Sequence, residues 1–142
     1  MENFKQIEDG IFLGPQPSEG DLAEAKRQGI ATVIDLRLPS ETATPNANLV
    51  RMHELNYVNV PVDKAALSTG QIASLEQAIA QTEGPHLVHC ATGARGALLL
   101  ALSRAKQHGW TAERTLEEAA SMGFNLEGSD AFVQFVKEER KA

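Results

Sequence analysis

Residues 86–100 read HLVHCATGARGALLL. His86 to His89 is a short apolar run with the look of a buried strand, and it ends at Cys90. The four residues that follow, Ala91, Thr92, Gly93 and Ala94, carry no bulky side chain. From Arg95 or Gly96 the pattern changes to an apolar helix that runs to about Gln107, with Gly109 as its stop. A strand, a small glycine-bearing loop and a helix in immediate succession are the repeating unit of an α/β sheet. In such sheets ligands gather beyond the carboxyl ends of the strands, which is where this loop falls.

The rest of the chain alternates in the same way. Ile11 to Gly14 reads as a strand paired with Phe4 to Ile7 across Glu8-Asp9-Gly10. Pro17-Ser18 opens a helix in which Ser18 and Asp21 have capping-box spacing and Gly29 is the stop. Ile30 to Leu36 (IATVIDL) and Tyr57 to Val62 (YVNVPV) read as buried strands, with the loop LPSETATPN and a helix over Ala47 to Leu55 between them. Ser68 or Thr69 caps a helix through Gln81, with Ile72, Leu75 and Ile79 on one stripe. Further helices are expected from Thr111 to Met122 and from Ser129, the latter with Phe132, Phe135 and Val136 inward. The expected fold is α/β: a mainly parallel sheet of four to five strands with helices on both faces, in a single domain spanning residues 1–142. Three polar segments fall at its functional edge: Asp35 to Arg37, Asp63-Lys64, and Cys90 to Arg95.

The loop at Cys90 has the parts of an anion site. Its backbone N–H groups can turn inward, and the helix that follows points its positive end at the same place. Anion-binding residues are therefore Ala91, Thr92, Gly93, Ala94, Arg95 and Gly96. Arg95 can fork its guanidinium onto two oxygens of an oxyanion. Cys90 is expected to work as the thiolate, which dipole, amides and arginine all favour. A lone cysteine is more often a small buried hydrophobe; it is the combination of strand, loop, arginine and helix that points to a nucleophile. His89 is expected to support the cysteine loop rather than to take a proton. Tyr57 and Trp110 lie at segment ends where packing explains them.

Composition narrows the partners. Hydrophobic residues are 42% and charged residues 23% of the chain, ordinary for a globular protein. One cysteine excludes an intrachain disulfide and a cysteine-rich zinc site, and the scattered histidines have no ligand spacing, so no metal and no cofactor is assigned. A net charge of −6 argues against nucleic acid and anionic membrane as partners. The opening MENFKQIEDG has no signal-peptide pattern and no apolar run is long enough to span a bilayer, so a cytoplasmic location is expected.

VHCATGAR resembles the His-Cys-x-x-Gly-x-(x)-Arg signature of cysteine-dependent protein phosphatases. The order GIFLGPQPS, LAEAKRQGIATVIDLR, YVNVPVD and then the cysteine loop is similar to that of small dual-specificity phosphatases. GPQPS, VIDLR and the short loop bring it closer to the bacterial phosphatase-like domains called beta-lactamase-hydrolase-like, which also occur fused to sulfur-oxidising or metallo-hydrolase modules. The resemblance covers nearly the whole chain. It implies a cysteine-phosphatase-like fold and hydrolysis of phosphate monoesters through a phosphocysteine, with Cys90 as nucleophile, Arg95 as oxyanion holder and Asp63 as general acid. Asp35 and Glu41 are fallback acids, and Asp63 could instead simply cap the next turn. Arg37 is expected to pair with a carboxylate. The partner would be a phosphorylated protein or a small phosphate ester, and the scarcity of aromatics favours a small or flexible one.

Two departures keep other functions open. The loop from Cys90 to Arg95 is one residue shorter than in tyrosine and dual-specificity phosphatases, a length shared with many rhodanese-type sulfurtransferases. The residue after the arginine is Gly96, where phosphatases carry a Ser or Thr that assists release of the thiolate; Thr92 is the nearest substitute. The alternatives are a sulfurtransferase that takes a persulfide on Cys90 from a sulfur donor, and a non-catalytic phosphate-binding module.

Overall fold

The computed structural model describes residues 2–41 and 46–141. Five strands, β1 (Lys5–Glu8), β2 (Ile11–Gly14), β3 (Thr32–Asp35), β4 (Asn56–Asn59) and β5 (His86–His89), form one sheet in the order β1-β2-β5-β3-β4. All neighbouring pairs are parallel except the β1–β2 hairpin. Six helices connect and cover them: α1 (Glu19–Arg27), α2 (Asn46–Met52), α3 (Thr69–Gln81), α4 (Ala94–His108), α5 (Ala112–Ser121) and α6 (Asp130–Glu139). The sheet is mainly parallel and carries helices on both faces, as the alternation of segments in the sequence predicts. Residues 42–45 of the LPSETATPN loop lie outside the described residues.

Strand alternation sends neighbouring side chains into two separate cores. Val33 and Leu87 pack with Leu22, Ala25, Val50 and Leu55 on the side of α1 and α2. Ile34, Val88 and Leu13 pack with α3, α4 and α6 on the other. At α1 the Ser18 hydroxyl accepts from Asp21 N at 3.1 Å while Ser18 N donates to the Asp21 carboxylate at 2.9 Å, a reciprocal cap of the kind worth about 1 kcal/mol. Leu22, fully buried one turn later, adds roughly 1.5–3 kcal/mol by leaving water. The long helix α4 is buried without interruption from Gly96 to Ser103, which makes it the centre of the larger core.

β4 differs from the expectation of a buried strand. It is the outer strand, paired only with β3, and its residues are half-buried or exposed. The apolar residues that suggested a buried run, Val60 and Val62, are buried but lie after the ladder ends, where their N–H groups bond Asp35 O and Leu36 O. This continuation carries the chain across the carboxyl edge of the sheet to Asp63. Register aligns that edge: Gly14 and Asp35 both stand level with His89, and Asn59 with Asp35. Cys90 therefore leaves the central strand β5 between two parallel neighbours.

Candidate active site

The loop 90–95 wraps around the sulfur of Cys90. Gly93 N donates to Cys90 Sγ at 2.9 Å, and Ala94 N donates to the Thr92 hydroxyl at 3.3 Å. Gly93 has φ +105°, a left-handed conformation open to glycine. A Cβ there would come within 2.5 Å of the Phe124 ring and 3.3 Å of the Gly14 backbone, so the loop closes tightly only because the side chain is missing. Gln16 N, in the GPQPS segment, donates to Ala91 O at 3.3 Å and braces the loop from β2. Cys90 is 1% exposed and joins the apolar core on one side while taking an amide hydrogen on the other.

Arg95 is oriented by two acceptors distant in sequence. Nη1 donates to Glu41 Oε2 at 2.8 Å and to Val62 O at 3.0 Å, and Nη2 donates to Glu41 Oε1 at 2.7 Å. The carboxylate thus meets the guanidinium end-on. Nε and the remaining N–H of Nη2 form the side-on fork that fits an oxyanion, and Arg95 also hydrogen-bonds the side chain of Cys90. Hydrogen bonding to Glu41 raises the Arg95 pKa above its ordinary value; burial opposes this and the Cys90 sulfur adds to it. The same bond to Arg95 lowers the Glu41 pKa, which removes Glu41 as a proton donor. Glu41 is instead the residue that aims the arginine.

Behind the loop lies a buried polar network. Arg37 N and Nε each donate to Asp35 Oδ1 at 3.0 Å, Nη2 to Oδ2 at 3.0 Å, and the Tyr57 hydroxyl to Oδ2 at 2.8 Å. Arg37 pairs with a carboxylate, as its position in VIDLR suggests. Burial pushes the Asp35 pKa up, but the hydrogen bonds from Arg37 and Tyr57, with His89 nearby, together outweigh it and the pKa lies below its ordinary value. Asp35 is therefore ionised and enclosed, not a second acid. His89 Nδ1 donates to Cys90 O at 3.2 Å, and Nε2 stands 3.9 Å from Asp35 Oδ1. Burial lowers the His89 pKa to about 4, so the imidazole is neutral at pH 7 and forms no ion pair with Asp35.

In front of the loop is a cavity of about 390 Å³, lined by Leu38, Glu41, Asp63, Lys64, Thr92, Ala94, Arg95 and Phe132. Asp63 is half-buried; its Oδ1 accepts from Ala65 N at 2.9 Å, capping the 3₁₀ turn Lys64–Ala66. Its other oxygen makes no described hydrogen bond. Asp63 is thus both turn cap and cavity wall. Gly96, placed with the anion loop from the sequence, is the third residue of α4, and its Cα faces the core: a Cβ there would meet Leu13 Cδ1 at 2.4 Å. That close approach accounts for glycine where a hydroxyl was expected. Glu41, a fallback acid in the sequence, holds Arg95 instead, and Phe132, expected in the core, also lines the cavity.

The fold is that of the cysteine-phosphatase class. Residues 3–107 match the family described as beta-lactamase hydrolase-like protein, phosphatase-like domain, and the chain belongs to that family. The beta-lactamase hydrolase-like protein of Xylella fastidiosa (strain Temecula1) is 32% identical over 102 residues, which are 68% of this chain and 24% of that protein. The chain therefore corresponds to about a quarter of that relative's length. Among solved structures, nma1982 from Neisseria meningitidis superposes with a TM-score of 0.80 at 24% identity, covering 98% of this chain and 99% of that one. TpbA from P. aeruginosa, in complex with pTyr, superposes with a TM-score of 0.73 at 17% identity, covering 97% and 90%. Among the described residues no helix is long and apolar enough to cross a membrane.

Proposed function

We propose that the protein hydrolyses phosphate monoesters through a phosphocysteine on Cys90. The observation that carries this is the aim of Arg95, which Glu41 and Val62 hold by one edge beside the Cys90 sulfur. The phosphoryl group enters between this pair and the inward amides of the loop. The Cys90 thiolate attacks phosphorus, the S–P bond forms, and the bond to the leaving oxygen breaks with its electron pair. Asp63 gives that oxygen a proton through its unengaged carboxyl oxygen. Water then attacks the phosphocysteine and Asp63 takes its proton. The S–P bond breaks, returning the thiolate and releasing phosphate. Charge on the equatorial oxygens is met by Arg95 and the loop N–H groups, and Thr92 offers its hydroxyl hydrogen to the same cavity.

Sulfur transfer is the second reading, favoured by the packing of Gly96 on Leu13, which leaves no hydroxyl after the arginine to assist thiolate release. A persulfide on Cys90 needs neither that hydroxyl nor Asp63. The deciding experiment runs the purified protein on an aryl phosphate and, separately, on thiosulfate with cyanide. Phosphate release that disappears in Cys90→Ser and falls about 10²- to 10⁴-fold in Asp63→Asn supports hydrolysis. Thiocyanate formation indifferent to Asp63 contradicts it, and phosphate binding without either turnover leaves a binding module.

A further inference from the structure

Lys64 and Phe132 form a wall of the cavity that the reaction above does not use. Lys64 directly follows Asp63, and its Nζ stands 5.2 Å from the centre of the Phe132 ring, a cation held over an aromatic face. Among the described residues Lys64 forms no ion pair. Phe132 belongs to α6, which packs against the 3₁₀ turn Lys64–Ala66, and Thr69 Oγ1 donates to Glu139 of α6 at 2.8 Å. Lys64 lies within the residues 3–107 that match the family, whereas Phe132 of α6 lies beyond them.

The charges around the cavity sort by role. Glu41 is neutralised by Arg95. Asp63, when it holds the proton for the leaving oxygen, is uncharged. The charge that remains towards the rest of the substrate is the ammonium of Lys64, beside two apolar surfaces, Leu38 and Phe132. Lys64 and Asp63 line the same cavity, which sets the ammonium on the side where the proton donor would meet the leaving group. A cavity of about 390 Å³ is at the small end of the range for ligand sites.

Resting on the hydrolase reading, we infer that the substrate is a small phosphate monoester whose leaving group carries a second anionic group, held by Lys64, with its carbon skeleton against Phe132 and Leu38. The test uses a matched pair, benzylphosphonate and 4-carboxybenzylphosphonate, whose dissociation constants are measured by calorimetry, alongside kcat/KM for phenyl phosphate and 4-carboxyphenyl phosphate. The native protein is expected to prefer the carboxylated member of each pair about fivefold, the size of one partly exposed ion pair. Lys64→Gln is expected to abolish that preference, and Phe132→Leu to weaken both phosphonates. Lys64 is exposed, so its variant should melt with the native protein and serve as the folding-neutral arm. Equal binding of the two phosphonates by the native protein, or a preference that survives Lys64→Gln, overturns the inference. A preference in binding without hydrolysis of either ester leaves the wall intact and contradicts the hydrolase reading instead.

Discussion

At the scale of single residues the site depends on what three side chains cannot do. Gly93 has no Cβ, which admits φ +105° and the approach of Phe124. Gly93→Ala should open the loop, cost roughly 1–3 kcal/mol from backbone strain, and abolish vanadate or phosphate binding; a variant that melts and binds like the native protein would contradict the geometry. His89 cannot carry a proton where it sits. Its pKa falls to about 4 from the ordinary 6.5 because burial penalises the charged ring. Since the unfolded chain then binds the proton first, stability is full above pH ~6.5 and declines as pH falls towards 4, by up to roughly 3 kcal/mol from this group. Urea unfolding at pH 7 and pH 4.5 should show the loss, and His89→Gln should remove most of it. Glu41, held ionised by Arg95, cannot donate a proton, so it orients the guanidinium and leaves the acid's part to Asp63.

Elements explain the departures from the phosphatase signature. α4 starts at Ala94 and runs under the sheet so closely that Gly96 meets Leu13 of β2. Gly96→Ser should therefore force Leu13 out of its place, lowering stability by about 1–3 kcal/mol, and should not speed release of phosphate, because its side chain points into the core. Faster turnover in that variant, without loss in a thermal melt, would show that the hydroxyl reaches the sulfur after all. The edge position of β4 has a consequence of the same kind. By ending early it frees Val60 to Asp63 to cross the carboxyl end of the sheet, where Val62 O steadies Arg95 and Asp63 reaches the cavity.

At the scale of the whole molecule the larger core spans both the residues that match the family and those after them. Phe132 and Val136 of α6, and Ala119 and Met122 around α5, are buried with α4. A chain ended at residue 107 should expose the outer face of α4 and lose its cooperative urea transition, whereas the full chain should unfold in one step; independent folding of the shortened chain would contradict this. Periodicity and turn chemistry made the strands, the helices and the cysteine loop legible, because each is decided by neighbours in sequence. β4 misled because its apolar alternation is the same at an edge as in the centre. Glu41 on Arg95, Leu13 on Gly96 and Phe132 on Lys64 are meetings of residues far apart along the chain, set by how the elements pack, and no local pattern announces them. Hydrolysis by this route requires that Cys90 itself takes the phosphoryl group. Acid quenching during turnover of an aryl phosphate, followed by mass spectrometry of the peptide holding Cys90, should show one added phosphoryl group that is missing in Cys90→Ser; an unmodified peptide in a protein that is releasing phosphate would contradict it.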